Sequence, residues 1–332
     1  MNTPSRLPLL ALLALPLFAV PVRAANLATP VDAPAPAPLA ARQKFKSKIH
    51  IPVKLAAEAT PLPPPGYALV FSDEFDSEAI DTAKWGFRLD SKMLSTQRPE
   101  NISLKNGHLE IATRKETVRG KNYTGGGVIS RRTFVYGYYE ARFKTPPAEG
   151  WHTSFWAMKK RFADEPPQPR ALLELDFCEQ DGGDPHFFSF GIINQAPNPK
   201  KKESWNAGRW VIEDAPDTSA DFHVWSCEFT PETTRFYFDG KLMKEVGSAG
   251  FPHDDMSVWL SVIASTLKGD RWVDESKLPN AVVVDYVRVY QNPRYRDAEE
   301  AVRAASRLRK PSAEPKSKDA GATGGGAPAD LN

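Results

Sequence analysis

Polar and apolar side chains alternate along the middle of the chain with a period of two. His108-Leu109-Glu110-Ile111-Ala112 alternates, and so does Tyr138-Tyr139-Glu140-Ala141-Arg142-Phe143-Lys144. That period predicts strands with one face buried. Phe155–Met158, Phe187–Ile193, Phe222–Phe229, Arg235–Phe238, Ser257–Ala264 and Val282–Tyr290 are further strand candidates. They are rich in aromatic and β-branched residues and recur at roughly ten-residue spacing. Asp239-Gly240 marks a two-residue hairpin turn, with Lys241-Leu242-Met243-Lys244 returning from it. Residues 67–293 hold no long amphipathic helix and no internal repeat. The expected fold is all-β, an antiparallel two-sheet sandwich.

One strand candidate departs from simple alternation. Ala171-Leu172-Leu173-Glu174-Leu175-Asp176-Phe177-Cys178-Glu179 puts three carboxylates within six residues. Alternation sends Glu174, Asp176 and Cys178 to one face and Glu179 to the other. One extra residue after Asp176 would bring Glu179 back, and a β-bulge supplies it. A retaining glycosidase gives a reason to crowd acids in this way: it needs a nucleophile and a general acid/base about 5 Å apart across a sugar bond. A solvated acidic strand face has the same spacing, so spacing leaves both readings open.

The ends of the chain differ from its middle. Residues 1–24 combine a basic Arg6, an apolar Leu9–Val20 and a small-residue Val22-Arg23-Ala24 site. That pattern predicts a secretory signal peptide and a secreted protein, periplasmic or extracellular. No other stretch is apolar for long enough to span a bilayer, so no transmembrane segment is expected. Residues 25–66 are Ala/Pro-rich and predict a semi-rigid linker. Residues 294–332 begin with a helix-compatible run, Asp297–Leu308, and then become low in complexity, which predicts a disordered tail. The whole chain carries a net charge of +2, whereas residues 67–293 hold 28 basic against 33 acidic residues. An acidic domain between basic flanks argues against a nucleic-acid partner. Cys178 and Cys227 could be bridged in an exported protein or buried as thiols. No Cys/His cluster has zinc-ligand spacing.

The domain resembles glycoside hydrolase family 16, the β-glucanase and galactanase jelly rolls. Val70-Phe71-Ser72-Asp73-Glu74-Phe75 with Asp81-Thr82-Ala83-Lys84-Trp85 resembles the family's opening. Glu100-Asn101-Ile102 and Asn106-Gly107-His108-Leu109 follow, then Tyr136–Arg142 and Gly150-Trp151-His152-Thr153-Ser154-Phe155-Trp156. The acid strand is similar to the bulged signature Glu-x-Asp-x-x-Glu, and Val284–Tyr290 to the closing strand. The resemblance implies a jelly roll with a concave substrate cleft and double displacement on a polysaccharide. Glu174 would be the nucleophile and Glu179 the general acid/base, with Asp176 between them separating their proton affinities. No catalytic cofactor is implied, and a monomer is the default for an enzyme acting on long chains.

The resemblance also supplies binding residues. Trp151 matches a cleft-lining tryptophan whose indole would stack on a sugar face, while Trp156 reads as core. Asn101 matches a polar cleft residue, and Trp205, Trp210 and Trp272 could extend the cleft. Glu74, Gly107 and Asp285 match the hard oxygen ligands of a structural calcium ion remote from catalysis. Two departures stand out. Where glucanases have Gly-x-x-His, this chain has Gly191-Ile192-Ile193-Asn194, and Asn194 can bond a substrate hydroxyl but cannot titrate. Ser261–Thr266 replaces a laminarinase Asn-Leu-Ala-Val-Gly-Gly. The expected substrate is a β-1,3- or β-1,3-1,4-glucan. A galactan of the agar, carrageenan or porphyran kind is the alternative, favoured by cations at Lys159, Lys160, Arg161, Arg170 and Lys200–Lys202. A transglycosylase and a non-catalytic carbohydrate-binding sandwich rank below these.

Overall fold

The computed structural model describes residues 50–160, 162–166, 168–182, 187–196, 209–212, 216–265 and 272–311. Its strands, in chain order, are β1 (His50–Val53), β2 (Ala68–Asp73), β3 (Trp85–Phe87), β4 (Ser91–Lys92), β5 (Ser95–Gln97), β6 (Ile102–Lys105), β7 (His108–Val118), β8 (Lys121–Phe134) and β9 (Gly137–Lys144). They continue as β10 (Trp151–Met158), β11 (Leu173–Asp181), β12 (Phe187–Asn194), β13 (Arg209–Ile212), β14 (His223–Phe229), β15 (Thr233–Phe238), β16 (Lys241–Gly247), β17 (Met256–Ala264) and β18 (Asn280–Gln291). One α-helix, α1 (Arg296–Leu308), follows.

Most strands form two sheets, which are joined where β7 pairs with β8 and where the short β4–β5 pair lies against β8. The first runs β1-β13-β12-β11-β10-β17-β8-β3. The second runs β6-β7-β18-β9-β14-β15-β16, with β2 on β18 beyond the end of β7. All pairings are antiparallel except β1–β13 and β5–β8. The Asp239-Gly240 turn takes positive φ at both residues (47° and 74°), the geometry that matches the twist of a two-residue hairpin.

Aromatic side chains close the space between the sheets. Tyr139 on β9 stacks on Phe177 of β11 at 4.9 Å between ring centroids. Phe188 of β12 meets Trp225 of β14 edge-on at 5.1 Å, and Phe190 meets Phe236 of β15 at 4.8 Å. Such pairs contribute about 0.5–1.5 kcal/mol each beyond the area they bury. Cys178 and Cys227 lie in this core as free thiols, and burial pushes both thiol pKa values well up.

Both flanks add to the domain. Within the expected linker, β1 pairs in parallel with β13. Pro52 sits in this short outer strand, where a missing N–H is tolerated. At the other end, Ala298 and Val302, four residues apart, pack α1 on the core. Arg303 donates to the Thr133 carbonyl at 2.9 Å, and Lys159 Nζ donates to Ser306 Oγ at 2.7 Å. The helix is therefore docked on the domain rather than part of a tail.

Candidate active site

The three carboxylates of β11 share the outer face of the first sheet. Asp176 pairs with Gly191 and Glu179 with Ser189, so Phe177 and Cys178 on β11 stand against the single Phe190 on β12. Against β10 the same offset appears, with Asp176 opposite Trp156 and Cys178 opposite Phe155. Phe177 and Cys178 both point into the core, and this bulge returns Glu179 to the face of Glu174 and Asp176.

Neighbouring strands supply the rest of that face. Along β10, His152 lies opposite Asp181, Ser154 opposite Glu179, and Met158 opposite Glu174. On the far side, β17 sets Trp259 beside Trp156 and Ser261 beside Ser154. The two indoles stack at 4.4 Å. Gly127 of β8 lies so close to Ser261 and Arg88 that an added Cβ would sit 2.6 Å from the Ser261 Cβ. The bare backbone there lets Arg88 cross the sheet. Arg88 Nη1 donates to Ser261 Oγ at 2.9 Å, and Arg88 Nε donates to Asp90 at 2.7 Å.

A cavity of about 350 Å³ opens over the acids, lined by His152, Trp156, Glu174, Asp176, Glu179 and Lys92 among others. It adjoins a larger one of about 730 Å³ through Arg88, Lys92 and Trp156. The second is lined by Lys160, Phe162, Arg170 and Trp259, a basic and aromatic extension of the same cleft. Asp90 is taken up by Arg88, and Lys159 by Asp254 and Asp255. Lys92, Lys160 and Arg170 have no ion-pair partner among the described residues.

The acids do not share one environment. Burial pushes the Asp176 carboxyl well above the usual carboxylate range, and the charges of Glu179 and Glu174 add to the effect. Burial also raises Glu174, while the Gln195 amide opposes it, the Glu179 charge raises it further, and Lys92 and Arg88 lower it. Gln195 Nε2 donates to Glu174 Oε2 at 2.6 Å. His152 bridges two acids, with Nε2 at 3.0 Å from Glu179 Oε1 and Nδ1 at 3.2 Å from Asp181 Oδ1. Carboxylates with separated proton affinities in one cleft can divide nucleophilic from acid/base work.

Several residues expected in the cleft stand elsewhere. Trp151 is fully buried in the core, edge-on to Tyr123 at 6.0 Å, and cannot stack on a sugar. Trp156 takes that place, because β10 is buried on both faces and only its register with β11 fixes which side chains reach the acids. Asn101 is buried in a 3₁₀ turn, with its Nδ2 donating to the Gly125 carbonyl at 2.8 Å. Asn194 shares the parity of core-facing Phe190 and Ile192, and its Oδ1 accepts from the Ala196 amide at 2.9 Å. Trp205, Arg161, Lys200–Lys202 and the side chain of Trp210 lie outside the described residues. Trp272 is half-buried, with its carbonyl against Gly150. Trp259, His152, Gln195 and Lys92 were not anticipated. A search for polar residues within apolar strand runs would have found only His152.

The residues matched to a calcium site do not fit one. Glu74 receives Arg288 with both oxygens, at 3.1 and 2.8 Å. Asp285 receives Arg142 at 2.6 Å and lies 3.6 Å from His108 Nε2. Each carboxylate is already neutralised by a guanidinium that a cation would have to displace. Among the described residues no three His, Cys, Asp or Glu side chains form a metal-binding group.

Comparison with known proteins agrees with the geometry. The sequence model of a family described as "Beta-porphyranase A-D, GH16 domain" matches residues 68–292. A β-glucanase of Rhodothermus marinus is 28% identical over 250 residues, covering 68% of this chain and 86% of that protein. β-Porphyranase E of Zobellia galactanivorans is 31% identical over 188 residues, covering 52% of this chain and 65% of that protein. The chain thus spans less than two thirds of the latter's length. The solved laminarinase from Rhodothermus marinus matches with a TM-score of 0.57 at 27% identity, covering 68% of this chain and 97% of that one.

Proposed function

The chain belongs to the GH16 glycoside hydrolases, and from that premise we propose that it is an exported, retaining endo-β-glycanase acting as a monomer. The observation that carries this reading is the bulged β11, which sets Glu174, Asp176 and Glu179 on one face at the floor of a cleft. Glu174 attacks the anomeric carbon while Glu179 gives its proton to the leaving oxygen. The glycosidic bond breaks and an ester to Glu174 forms. Glu179, now ionised, takes a proton from water, whose oxygen displaces Glu174 and restores the original anomer. Burial pushes the Asp176 carboxyl up, which favours its neutral form beside two like charges. Gln195, Lys92 and Arg88 favour the ionised form of Glu174. This chemistry runs on carboxylates and water. A calcium ion forms no part of the reading, since Glu74 and Asp285 are held by arginines. Export rests on the residue pattern of 1–24.

A β-1,3- or β-1,3-1,4-glucan is the first substrate to test, on the strength of the glucanase relatives. One observation favours a sulfated galactan instead: Lys92, Lys160 and Arg170, without ion-pair partners among the described residues, line the cleft around a stacked indole pair. Burial lowers the proton affinity of the Lys160 ammonium, and an anion on the sugar would offset that cost. The porphyranase character of the matching family supports the same reading.

The test is a panel of neutral β-glucans and sulfated and desulfated red-algal galactans, with products followed by size and by NMR of the anomeric proton. Short oligosaccharides with the β-anomer first are expected. First release of the α-anomer would overturn retention. Inertness on every polymer, with binding intact, would leave the carbohydrate-binding sandwich as the better reading.

A further inference from the structure

The structure brings a histidine to the acids. His152 is on β10, the strand before them, and its register sets it against Asp181. Both ring nitrogens face carboxylates, Nε2 towards Glu179 and Nδ1 towards Asp181. An ionised carboxylate can only accept a hydrogen bond, and a neutral imidazole has only one N–H to give. Two such contacts therefore require either an imidazolium between two carboxylates or a neutral ring beside one protonated acid. In both forms one proton is shared by His152, Glu179 and Asp181.

We propose that His152 is a positioning residue for Glu179, holding the carboxyl in line and supplying a positive charge that steadies the carboxylate left after its proton has moved to the leaving oxygen. The proposal rests on the acid/base role given to Glu179 above. His152 and Asp181 are 7% and 3% exposed, so water screens the contact little. From β11, Glu179 and Asp181 face the ring, with Asp176 and Glu174 farther along the same face. From β17 its neighbour is Ile263, which carries no charge, and across the cavity stand Lys92 and Arg88. Burial works against a charged ring, but the hydrogen bonds and charges of Asp181 and Glu179 outweigh it and hold the pKa up at about 9. The proton lost by Glu179 travels to the leaving group, and the charge it leaves behind is met by an imidazolium at hydrogen-bond distance. The same ion pair then keeps Glu179 ionised until it takes the proton of the attacking water.

The test has two arms on the full-length protein. The first is an NMR pH titration of the His152 ring, assigned by loss of its signal in His152→Gln. The ring is expected to titrate near pH 9, and to fall by about one unit or more in Glu179→Gln and in Asp181→Asn. Titration at the ordinary histidine value, unmoved by either substitution, would overturn the proposal whatever the substrate is. The second arm is the pH profile of kcat/KM on the best polymer of the panel. His152→Gln keeps a donor but loses the charge, so kcat should fall about tenfold to a hundredfold. The alkaline limb should move up by about one pH unit. If His152→Gln does not fold, the fall of the ring's pKa in Asp181→Asn decides the proposal. A lower rate with the limb in place would mean that His152 only fills space. Inactivity on every polymer would overturn the hydrolase reading but leave the titration arm to decide the proposal.

Discussion

The same residue types live under opposite conditions on the two sheets. On and beside the second sheet three acids each have an arginine: Glu74 with Arg288, Asp285 with Arg142, Glu228 with Arg235. On the outer face of the first sheet Glu174, Asp176 and Glu179 stand together with no arginine in contact among the described residues. They are met instead by a glutamine amide and an imidazole. Arginine stays charged over all accessible pH and offers a carboxylate a fixed counter-ion. A crowded, desolvated set with weaker partners keeps its proton affinities spread, as proton transfer near neutral pH requires.

The largest effect that would break this contrast is on the acids themselves. Glu174→Gln or Glu179→Gln should lower kcat by about a thousandfold or more on the polymer the panel identifies. Glu174→Gln should not lower Tm, because it removes charge from a crowded site, whereas Glu179→Gln also takes a partner from His152 and should lower Tm slightly. Asp176→Asn should raise Tm by a few degrees at pH 7, since burial and two like charges already oppose its ionisation. A clear drop in Tm for all three variants would show that the acids are structural partners like those of the second sheet.

The second effect is on stability against pH. The folded His152 holds its proton up to about 9, against an ordinary value of 6.5. A raised pKa in the folded state means stability that is complete below about pH 6.5 and lost as pH rises through about 9. Tm should therefore fall between pH 6.5 and 9 by several degrees, on the order of 2 kcal/mol. In His152→Gln most of that slope should vanish. A wild-type Tm that is flat over this window would place His152 among the ordinary histidines.

What could be read in advance follows from range. The acid triplet, its bulge and the Asp239-Gly240 hairpin are local, set by side-chain parity and turn chemistry over a few residues. The choice between Trp151 and Trp156 is not local. Trp151 to Ala157 are all buried, and the polar His152, Thr153 and Ser154 fall on both faces, so polarity along the run does not mark which face meets solvent. Only pairing with β11 and β17, residues far along the chain, puts Trp156 beside Trp259 and the acids. His152 was hidden for the same reason, since one histidine in an apolar run carries no sign of two carboxylates across the strand. The arginines of Glu74 and Asp285 are 214 and 143 residues away from them in the chain, so those acids looked free to hold a cation. In the Pro-rich stretch before the domain, only the docking of β1 on β13 distinguishes residues 50–53 from linker.

The smallest effect tests the other side of the contrast. The Glu74–Arg288 pair is two-pronged, but its side chains are 40% and 33% exposed. Water screens such a pair, so Arg288→Ala should cost about 1 kcal/mol or less, a shift in Tm of no more than about 4 °C. Part of that loss would be the cation–π contact of Arg288 with Tyr286, which lies 3.8 Å from the ring centroid. Activity should be unchanged, because the pair stands on the second sheet and the acids on the outer face of the first. The variant also exposes the one condition under which Glu74 could bind a cation. In the wild type, neither calcium nor a chelator should move Tm, since the guanidinium already satisfies both oxygens. In Arg288→Ala the carboxylate is released, and millimolar calcium should recover part of the lost stability if Glu74 lies within reach of other oxygen donors. A wild-type Tm that rises by several degrees with calcium would show that the ion outcompetes the arginine. Glu74 would then be a metal ligand and not an acid fixed by its counter-ion.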